Sequence, residues 1–536
     1  MLFAAVAAVL CAAMAVAGEN ASSSEHLGTV HFSISCNAAA QPQFDRAIAL
    51  LHSFWYEEAV KAFTEVTQSD PRCAMGYWGI AMSLWYPLWY PPSQAVLQQG
   101  SAAVAQAKTT GAPTERERAY IAAIEAFYKD ADTRDHRTRA VAYEKAMEQV
   151  HLRYPDDREA TVFYALALDA TAVPTDKTYA NQLKAADLLA PVFAEQPNHP
   201  GVAHYLIHSY DYPPLASRAL TAARRYATIA PSAPHALHMP SHIFTRLGLW
   251  QESIHSNRAS AAASQQYARQ VGAAGTWPEQ LHAMDYLVYA YLQGAQDRDA
   301  KRVVDELLEI QKAVPENMVA AYAFAAIPAR YALERRRWTD AAALTRHPQA
   351  FPWSQFRWAE AMTAFTRALG AARSGDAAHA QQEVDTLQSL HRALVDAKQS
   401  YWADQVEIQR RAAAAWLAQA EGKPDEAVTL MRAAADLEAS TDKLPVTPGP
   451  LVPARELFGE LLLEVHQPAQ ALSEFETSLR TDTNRFNGWY GAARAAELSG
   501  DHAKAHTYYT NLVALCEQAD TGRAELVEAK AFLAKP

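Results

Sequence analysis

The sequence predicts an all-α protein, built as an α-solenoid of about eight to eleven stacked helical hairpins, and two observations support this prediction. First, helices of roughly 10 to 16 residues follow one another, rich in Ala, Leu, Glu, Gln and Arg and separated by breaks at Gly, Pro, Asp and Asn. Runs of alternating Val, Ile and Thr, which would indicate strands, are missing. Second, a turn followed by a small residue early in the next helix recurs along the chain, which is typical of helical repeats.

The repeat pattern is clearest towards the C-terminal end. It appears in "GKPDEAV" (422–428), "HQPAQAL" (466–472) and "GDHAKAH" (500–506). Each segment makes a turn and then places an alanine early in the next helix. The last two of these alanines, Ala471 and Ala505, are separated by 505 − 471 = 34 residues. This interval fits one helix–turn–helix unit per repeat.

The same pattern is found near the N-terminal end and in the middle of the chain. It appears in "SFWYEEAVKAFTEVTQSDP" (53–71), "LASRALTAARRYATIAP" (215–231) and "LGLWQESIHSN" (247–257). The sequence therefore resembles tetratricopeptide-repeat (TPR) proteins, most strongly over 40–90, 200–260 and 408–515. The resemblance implies pairs of antiparallel helices whose first helices line a concave groove, and a protein or peptide ligand in that groove.

Two proline-rich segments interrupt the helical pattern and suggest boundaries. "RHPQAFPW" (346–353) and "TDKLPVTPGPLVP" (441–453) cannot be helix interiors, because proline lacks the N–H that a helix requires. We interpret the second segment as an ordered excursion or a hinge. The predicted division is a signal peptide at 1–18, N-terminal and central repeats with a histidine-rich groove at 30–345, helical repeats at 354–440 and C-terminal repeats at 454–536.

The start of the chain predicts export. "MLFAAVAAVLCAAMAVAGEN" is an apolar run that contains Ala15-Val16-Ala17, a triplet typical of signal-peptide cleavage sites. No Lys or Arg precedes the run, so an uncleaved anchor is the alternative. We expect a periplasmic or secreted protein of a bacterial type, without a membrane contact after cleavage. A formal net charge of −11 also disfavours nucleic acid as a partner, because affinity for phosphates comes from clustered Lys and Arg.

Two histidine pairs are the most informative local feature. "HYLIHSYD" (204–211) carries His204 and His208, and "LHMPSHIF" (237–244) carries His238 and His242. Spacing of four residues puts both rings of a pair on one face of a helix. The second pair follows the first by the repeat interval, since 204 + 34 = 238 and 208 + 34 = 242. The TPR resemblance implies that these positions point into the groove, where four imidazoles would meet.

The resemblance places His235 and Asp211 beside the two pairs. Imidazole is a good ligand for a transition metal such as Zn, Cu or Fe, and Asp211 would either complete the coordination or orient a ring. The predicted metal site consists of His204, His208, His235, His238, His242 and Asp211. Two alternatives stay open, a metal-free ligand groove and histidines that serve packing alone. The HExxH pattern of zinc proteases is absent.

Weaker predictions concern three more histidines and one aromatic segment. His282 begins another helix and is a candidate for the same groove. His199 lies in a loop that could approach the helix starts, and His52 is expected on the inner face, far from the cluster. The aromatic run "YWGIAMSLWYPLWY" (77–90) is expected to form core and groove wall.

Two functional hypotheses follow from these patterns. The first is an exported TPR-type binding scaffold whose concave groove carries a metal-binding histidine cluster. The second is a metalloenzyme on the same frame, with a histidine-ligated redox or Lewis-acidic metal. The chain contains no Gly-rich phosphate loop, nucleophile elbow or Cys-x-x-Cys pair, so any catalysis would belong to the histidines.

The repeat frame also predicts one disulfide. Of the four cysteines, Cys11 lies within the predicted signal peptide. In the frame that the resemblance supplies, Cys36 precedes the first helix of one repeat and Cys73 opens the first helix of the next. Parallel neighbouring helices bring these ends together, so we predict a Cys36–Cys73 disulfide, with Cys516 as the free thiol.

Overall fold

The computed structural model describes residues 25–535, so the predicted signal peptide at 1–18 lies outside the described residues. The described part is built from helices and the segments that connect them, with an isolated bridge between Thr276 and Ala313. The prediction of an all-α solenoid is therefore confirmed. Between residues 25 and 535, no helix combines the length and the apolar character that crossing a bilayer would require.

The first half of the solenoid is a series of helices joined by short connections. In chain order they are α1 (Ala40–His52), α2 (Tyr56–Ser69), α3 (Ala74–Ser83), α4 (Gln94–Thr110), α5 (Glu115–Tyr128), α6 (His136–Arg153), α7 (Arg158–Thr171), α8 (Ala180–Glu195), α9 (Pro200–Tyr210), α10 (Leu220–Ile229), α11 (Pro234–His238), α12 (Pro240–Arg246) and α13 (Trp250–Gln270). A short 3-10 helix, Ala216–Ala219, leads into α10.

The second half continues in the same way. Its helices are α14 (Pro278–Gln293), α15 (Asp297–Glu309), α16 (Met318–Glu334), α17 (Trp338–Ala342), α18 (Arg357–Arg373), α19 (Ala377–Asp396), α20 (Ser400–Ala420), α21 (Pro424–Ala439), α22 (Ala454–Glu464), α23 (Pro468–Thr481), α24 (Phe486–Leu498), α25 (His502–Leu515) and α26 (Ala524–Leu533). A second 3-10 helix, Trp353–Gln355, leads into α18.

Consecutive helices pack as antiparallel hairpins. The pairs run from α1 with α2 to α9 with α10, then α11 and α12 together with α13, and then from α14 with α15 to α24 with α25; α26 packs on the last pair. The first helices of neighbouring hairpins also touch, for example α9 with α12 and α14 with α16. The described residues thus contain twelve hairpins, more than expected, because 91–198 and 260–407, which lie outside the stretches of strongest resemblance, also fold as hairpins.

Apolar side chains between the hairpins form two extended cores. One contains buried residues from Leu27 to Phe244, and the other contains buried residues from Trp250 to Ala529. Stacking of neighbouring repeats is what buries each apolar face, as expected for a solenoid. The division into 30–345, 354–440 and 454–536 stays a prediction.

A proline divides the helix that carries the second histidine pair. Pro240 has no N–H, so α11 and α12 are separated at Met239. Met239 nevertheless keeps right-handed helical angles, with φ −53° and ψ −36°. His238 and His242 therefore still lie one turn apart on one face, as the four-residue spacing predicts.

The proline-rich segment 441–453, called the strap below, is an ordered excursion between α21 and α22. It reaches back to the first half of the chain, where the Lys443 ammonium lies 2.7 Å from the Asp211 carboxylate. At its other end the carbonyl of Gly449 accepts a hydrogen bond of 2.8 Å from Arg330. The strap is thereby held across the inner side of the solenoid.

The predicted disulfide is confirmed. Cys36 and Cys73 are bonded, and their Cα atoms lie 5.0 Å apart. Cys73 directly precedes α3 and Cys36 precedes α1, so the bond joins the starts of two neighbouring first helices. Cys516 is a free and buried thiol, as predicted.

Candidate metal centre

Six buried histidines from three successive first helices meet on the inner side of the solenoid. They are His204 and His208 on α9, His235, His238 and His242 on α11 and α12, and His282 on α14. Each of the six is less than a tenth exposed. The stacking of first helices therefore brings together side chains that lie up to 78 residues apart (282 − 204).

The six histidines form two groups of three. In the first triad, His204, His208 and His235, one ring nitrogen from each residue lies within 4.8 Å of the others. The second triad, His238, His242 and His282, meets the same limit. Three imidazole nitrogens at such distances can converge on one metal ion.

In the second triad, the hydrogen bond of His238 decides which ring nitrogen is free. Its Nδ1 lies 2.6 Å from Oδ1 of Asn257. The Asn257 amide nitrogen donates to the Ser253 carbonyl over 2.8 Å, so the oxygen of that amide must face His238. A proton on Nδ1 of His238 is then required, and Nε2 of the neutral ring carries a lone pair.

His242 is oriented in the same sense by a carboxylate. Its Nδ1 donates to Oδ2 of Asp211 over 2.9 Å. Burial opposes ionisation of Asp211, but Lys443 and Arg246 outweigh it and hold the pKa of this carboxyl well below its ordinary value. Because Asp211 is an anion at neutral pH, it can only accept the hydrogen bond from His242. The proton of the neutral ring is therefore on Nδ1, and Nε2 of His242 is also left with a lone pair.

The two lone pairs of the second triad point at each other. The Nε2 atoms of His238 and His242 are 3.0 Å apart. Tyr286 places its hydroxyl 3.4 Å from Nε2 of His242, a long contact for a hydroxyl hydrogen bond. Two acceptors at this distance repel each other unless a cation lies between them or beside them, and a metal ion is such a cation.

The first triad has a similar arrangement. Nδ1 of His204 donates to the main-chain carbonyl of His52 over 2.7 Å, so Nε2 of His204 carries a lone pair. Nδ1 of His235 lies 2.6 Å from Oε1 of Glu279, a carboxyl group whose pKa is raised to about 7 by burial, and Nε2 of His235 has no hydrogen-bond partner among the described residues. Nε2 of His208 lies 3.1 Å from Nε2 of His204, while Nδ1 of His208 has no partner in the described chain.

Burial keeps the six rings neutral. It lowers the pKa of His208, His235 and His242 to about 3. It also lowers the pKa of the other three, His204, His238 and His282, well below 6.5. Neutral imidazole is the form that binds a metal, so the cluster is ready to coordinate at neutral pH without releasing protons.

The two triads adjoin one another. The ring centres of His208 and His242 are 5.9 Å apart, and those of His235 and His238 are also 5.9 Å apart. A cavity of about 10 Å³ lies between the triads and faces two histidines from each. The rest of its wall comes from Phe54, Leu88, Trp89, Pro445 and Val446.

A third buried group shows what satisfied histidines look like in this protein. His52 and His199 donate from Nε2 to the two oxygens of Glu159, over 2.9 and 2.8 Å. Their Nδ1 atoms accept hydrogen bonds, one from the Tyr205 hydroxyl and one from the Val202 amide. Burial opposes ionisation of Glu159, but His199 and His52 hold its pKa below the ordinary value. The three residues meet the same distance limit as the two triads, but every ring nitrogen of this group already has a hydrogen-bond partner.

The structure brings together all five histidines that the sequence predicted. Asp211 orients His242 with a carboxylate that is shared with Arg246 and Lys443, which corresponds to the second of its two predicted roles. The six rings lie on the inner side and are buried, and Trp89 and the strap residues Pro445 and Val446 line the same small cavity. Trp89 packs on His235 with ring centres 5.1 Å apart, so the aromatic run forms a wall as expected.

Sequence reasoning was wrong about His52 and did not find several other residues. His52 lies next to the cluster, since its carbonyl accepts the hydrogen bond from His204. His199 caps the start of α9 and is part of the Glu159 group. The acceptors Asn257 and Glu279 were not predicted, because no repeat interval links them to their histidines. His282 was a weak candidate and is a full member of the second triad.

Comparison with known proteins gives distant structural likenesses. The yeast Tom70 crystal structure is 9% identical, with a TM-score of 0.34, over 92% of this chain and 95% of that chain. A tetratricopeptide repeat protein from Parabacteroides merdae is 10% identical, with a TM-score of 0.24, over 78% of this chain and 100% of that chain. The APC/C hetero-tetramer Cut9–Hcn1 is 11% identical, with a TM-score of 0.26, over 92% of this chain and 95% of that chain.

No protein-family model matches the chain, and no curated protein matches it either. The assignment of the fold therefore comes from the architecture itself. Antiparallel hairpins stack in sequence order, and their first helices lie side by side along the inner surface. By this architecture, the chain is a TPR-like α-solenoid.

Proposed function

We propose that the protein is an exported TPR-type scaffold that holds a pair of transition-metal ions in its inner surface, one in each histidine triad. The single observation that carries this proposal is the contact between His238 and His242. Each ring donates a hydrogen bond from Nδ1 to a fixed acceptor, and the two unprotonated Nε2 atoms face each other over 3.0 Å. A metal ion removes this repulsion and uses both lone pairs.

The hydrogen bonds around the triads support the same proposal. Metal-binding histidines usually donate their second ring N–H to a carboxylate, an amide or a main-chain carbonyl, which fixes the tautomer. His204, His238 and His242 do so, with His52, Asn257 and Asp211 as the acceptors, and Nδ1 of His235 faces the Glu279 carboxyl group over 2.6 Å. The packing alternative is weaker, because packing alone does not account for lone pairs that are buried and unused.

Metal content is the direct test. Protein should be purified without a histidine tag, freed of metal with a chelator, dialysed against Zn²⁺ or Cu²⁺ and analysed for bound metal. We expect two ions per chain. His204→Ala and His242→Ala should each reduce the content to one ion, because each removes a ligand from a different triad.

A matched control is His506→Ala, which removes an exposed histidine from α25. It should leave two ions bound. A wild-type protein that binds no more metal than the double variant His204→Ala/His242→Ala would contradict the proposal. Circular dichroism of each variant would show whether the helices remain intact.

Binding of a peptide segment is a second candidate function, favoured by a larger cavity. This cavity of about 310 Å³ lies between the strap and α16, α18, α20 and α21, and its wall includes Trp402 and Gln409. The side-chain oxygen of Gln409 is buried without a hydrogen-bond partner in the described chain, so it is free to accept an N–H from an incoming main chain. Trp402→Ala should abolish binding to a peptide array that wild type recognises, and unchanged binding would contradict this assignment.

A further inference from the structure

The ligand set of the paired triads contains no carboxylate within either group of three. The two nearest carboxylates are engaged elsewhere, Asp211 with His242, Lys443 and Arg246, and Glu279 with Nδ1 of His235. We propose that the pair binds copper as Cu(I) and that the two copper ions bind dioxygen in the cavity between the triads. This inference rests on the proposed metal pair.

Charge favours monovalent metal in this site. At the same separation, two dications repel each other about four times as strongly as two monocations. Two monocations are therefore the easier pair to hold side by side. Around these triads, the charge of Asp211 is offset by those of Lys443 and Arg246, which leaves Glu279, beside His235, as the carboxylate that faces the metal pair. Six neutral imidazoles suit copper, which binds imidazole well, and they add no negative charge that would favour a dication over Cu(I).

The cavity defines the size and polarity of the additional ligand. Its volume of about 10 Å³ is close to the least that one water molecule requires, so it admits only a very small molecule. His208 and His235 face it from the first triad, and His242 and His282 face it from the second. A molecule there would contact both metal ions. The remaining wall is apolar, which suits a neutral diatomic molecule better than a charged ligand.

The electron balance is compatible with such a site. Each Cu(I) ion gives one electron to dioxygen, which becomes a peroxide that bridges two Cu(II) ions. The metal pair and its ligand carry a total charge of +2 before and after this step, and no proton is needed. The anion that balances the two new dications is formed in the site itself. Release of dioxygen is the reverse of the same two-electron transfer.

Anaerobic loading followed by exposure to dioxygen tests the inference. Metal-free protein should take up two Cu(I) ions per chain from a soluble Cu(I) complex under nitrogen. On addition of air-saturated buffer, an oxygen electrode should record one dioxygen molecule consumed for each copper pair. The oxidised sample should show no Cu(II) signal in electron paramagnetic resonance, because a bridging ligand couples the two unpaired electrons.

The variant Val446→Ile separates the dioxygen site from the copper ligands. Val446 belongs to the strap and lines the cavity without being a ligand. The added methylene group should fill the cavity, so that two Cu(I) ions still bind but dioxygen uptake is lost. His282→Ala should keep one copper, in the first triad, and also lose the paired uptake, whereas the exposed control His506→Ala should behave as wild type.

The outcomes distinguish this inference from the proposal on which it rests. Two bound copper ions without dioxygen uptake, or two separate Cu(II) signals after exposure to air, would overturn the inference and leave the metal pair in place. Binding of two Zn²⁺ ions by a protein that rejects Cu(I) would do the same. Absence of any bound metal would overturn both.

Discussion

Nε2 of His238 lies 3.0 Å from Nε2 of His242, and Nδ1 of each ring is engaged by an acceptor of fixed identity. The protein therefore holds two lone pairs together in a buried place. His52 and His199 differ from these two rings. They are also buried, but both of their ring nitrogens are used in hydrogen bonds. The predictions on metal binding rest on this difference between histidines with and without a free ring nitrogen.

The acceptor role of Asn257 predicts a change in metal affinity. Asn257→Leu removes the group that fixes the tautomer of His238, and we expect the affinity of the second triad to fall by about tenfold or more. Asn257→Asp keeps an oxygen at that position and should restore binding. Competition with a coloured chelator measures both. Equal loss in the two variants would mean that Asn257 matters for packing and not as an acceptor.

Metal binding should raise the melting temperature. A ligand that binds the folded state alone stabilises it by mass action, by about 2.7 kcal/mol at a concentration 100 times its Kd. Differential scanning fluorimetry should therefore show an increase on addition of metal and its reversal by a chelator. The His204→Ala/His242→Ala protein provides the control, and an equal shift in that protein would assign the effect to other sites.

The Cys36–Cys73 disulfide should stabilise the N-terminal hairpins. It constrains the unfolded chain between two positions 37 residues apart, and such cross-links contribute about 2 to 4 kcal/mol. Cys36→Ser/Cys73→Ser should lower the melting temperature measured by circular dichroism. Cys516→Ala, which touches no disulfide, is the comparison, and a double variant as stable as this comparison would contradict the prediction.

Stability should also depend on the ionisation of Glu438. Burial, together with the nearby Asp482, raises the pKa of Glu438 to about 8. Because the folded state holds this proton more tightly than the unfolded state, the contribution of Glu438 to stability is greatest at low pH and is lost as pH rises from about 4.5 to about 8, by less than about 1.4 kcal/mol per pH unit. Glu438→Gln removes this loss, so the urea-derived stability of the variant relative to wild type should increase with pH over this window, and a constant difference would exclude Glu438 as a source.

The core of the cluster could be predicted from the sequence because residues one repeat interval apart lie side by side on neighbouring helices. Two histidine pairs offset by 34 residues had to lie on neighbouring first helices, and α9 and α12 do touch. His282 was less certain because α13 has 21 residues, which lengthens the unit that follows and shifts the register. The acceptors Asn257 and Glu279 could not be predicted, because they meet their histidines through packing between helices and no repeat interval relates them.

Burial of the cluster could not be predicted from the groove-facing positions. The strap that covers it is joined to Asp211 by Lys443, 232 residues along the chain. The prolines of the strap indicated that it was not helical, but nothing in its sequence indicated where it would lie. The histidines are therefore buried, so a ligand that reaches them is small, while the larger cavity beside Trp402 stays the candidate site for a peptide.

X-ray absorption spectroscopy of the metal-loaded, untagged protein tests the central claim most directly, because it reports the ligands of the bound ion and the distance to a second ion. We predict imidazole nitrogen ligands at about 2.0 Å and no sulfur ligand, in a sample that contains two ions per chain. His242→Ala should remove the signal of the second ion and leave the nitrogen distances of the first unchanged. A single ion coordinated mainly by carboxylate oxygen or by sulfur, or ion content unaffected by His242→Ala, would contradict the paired histidine centre.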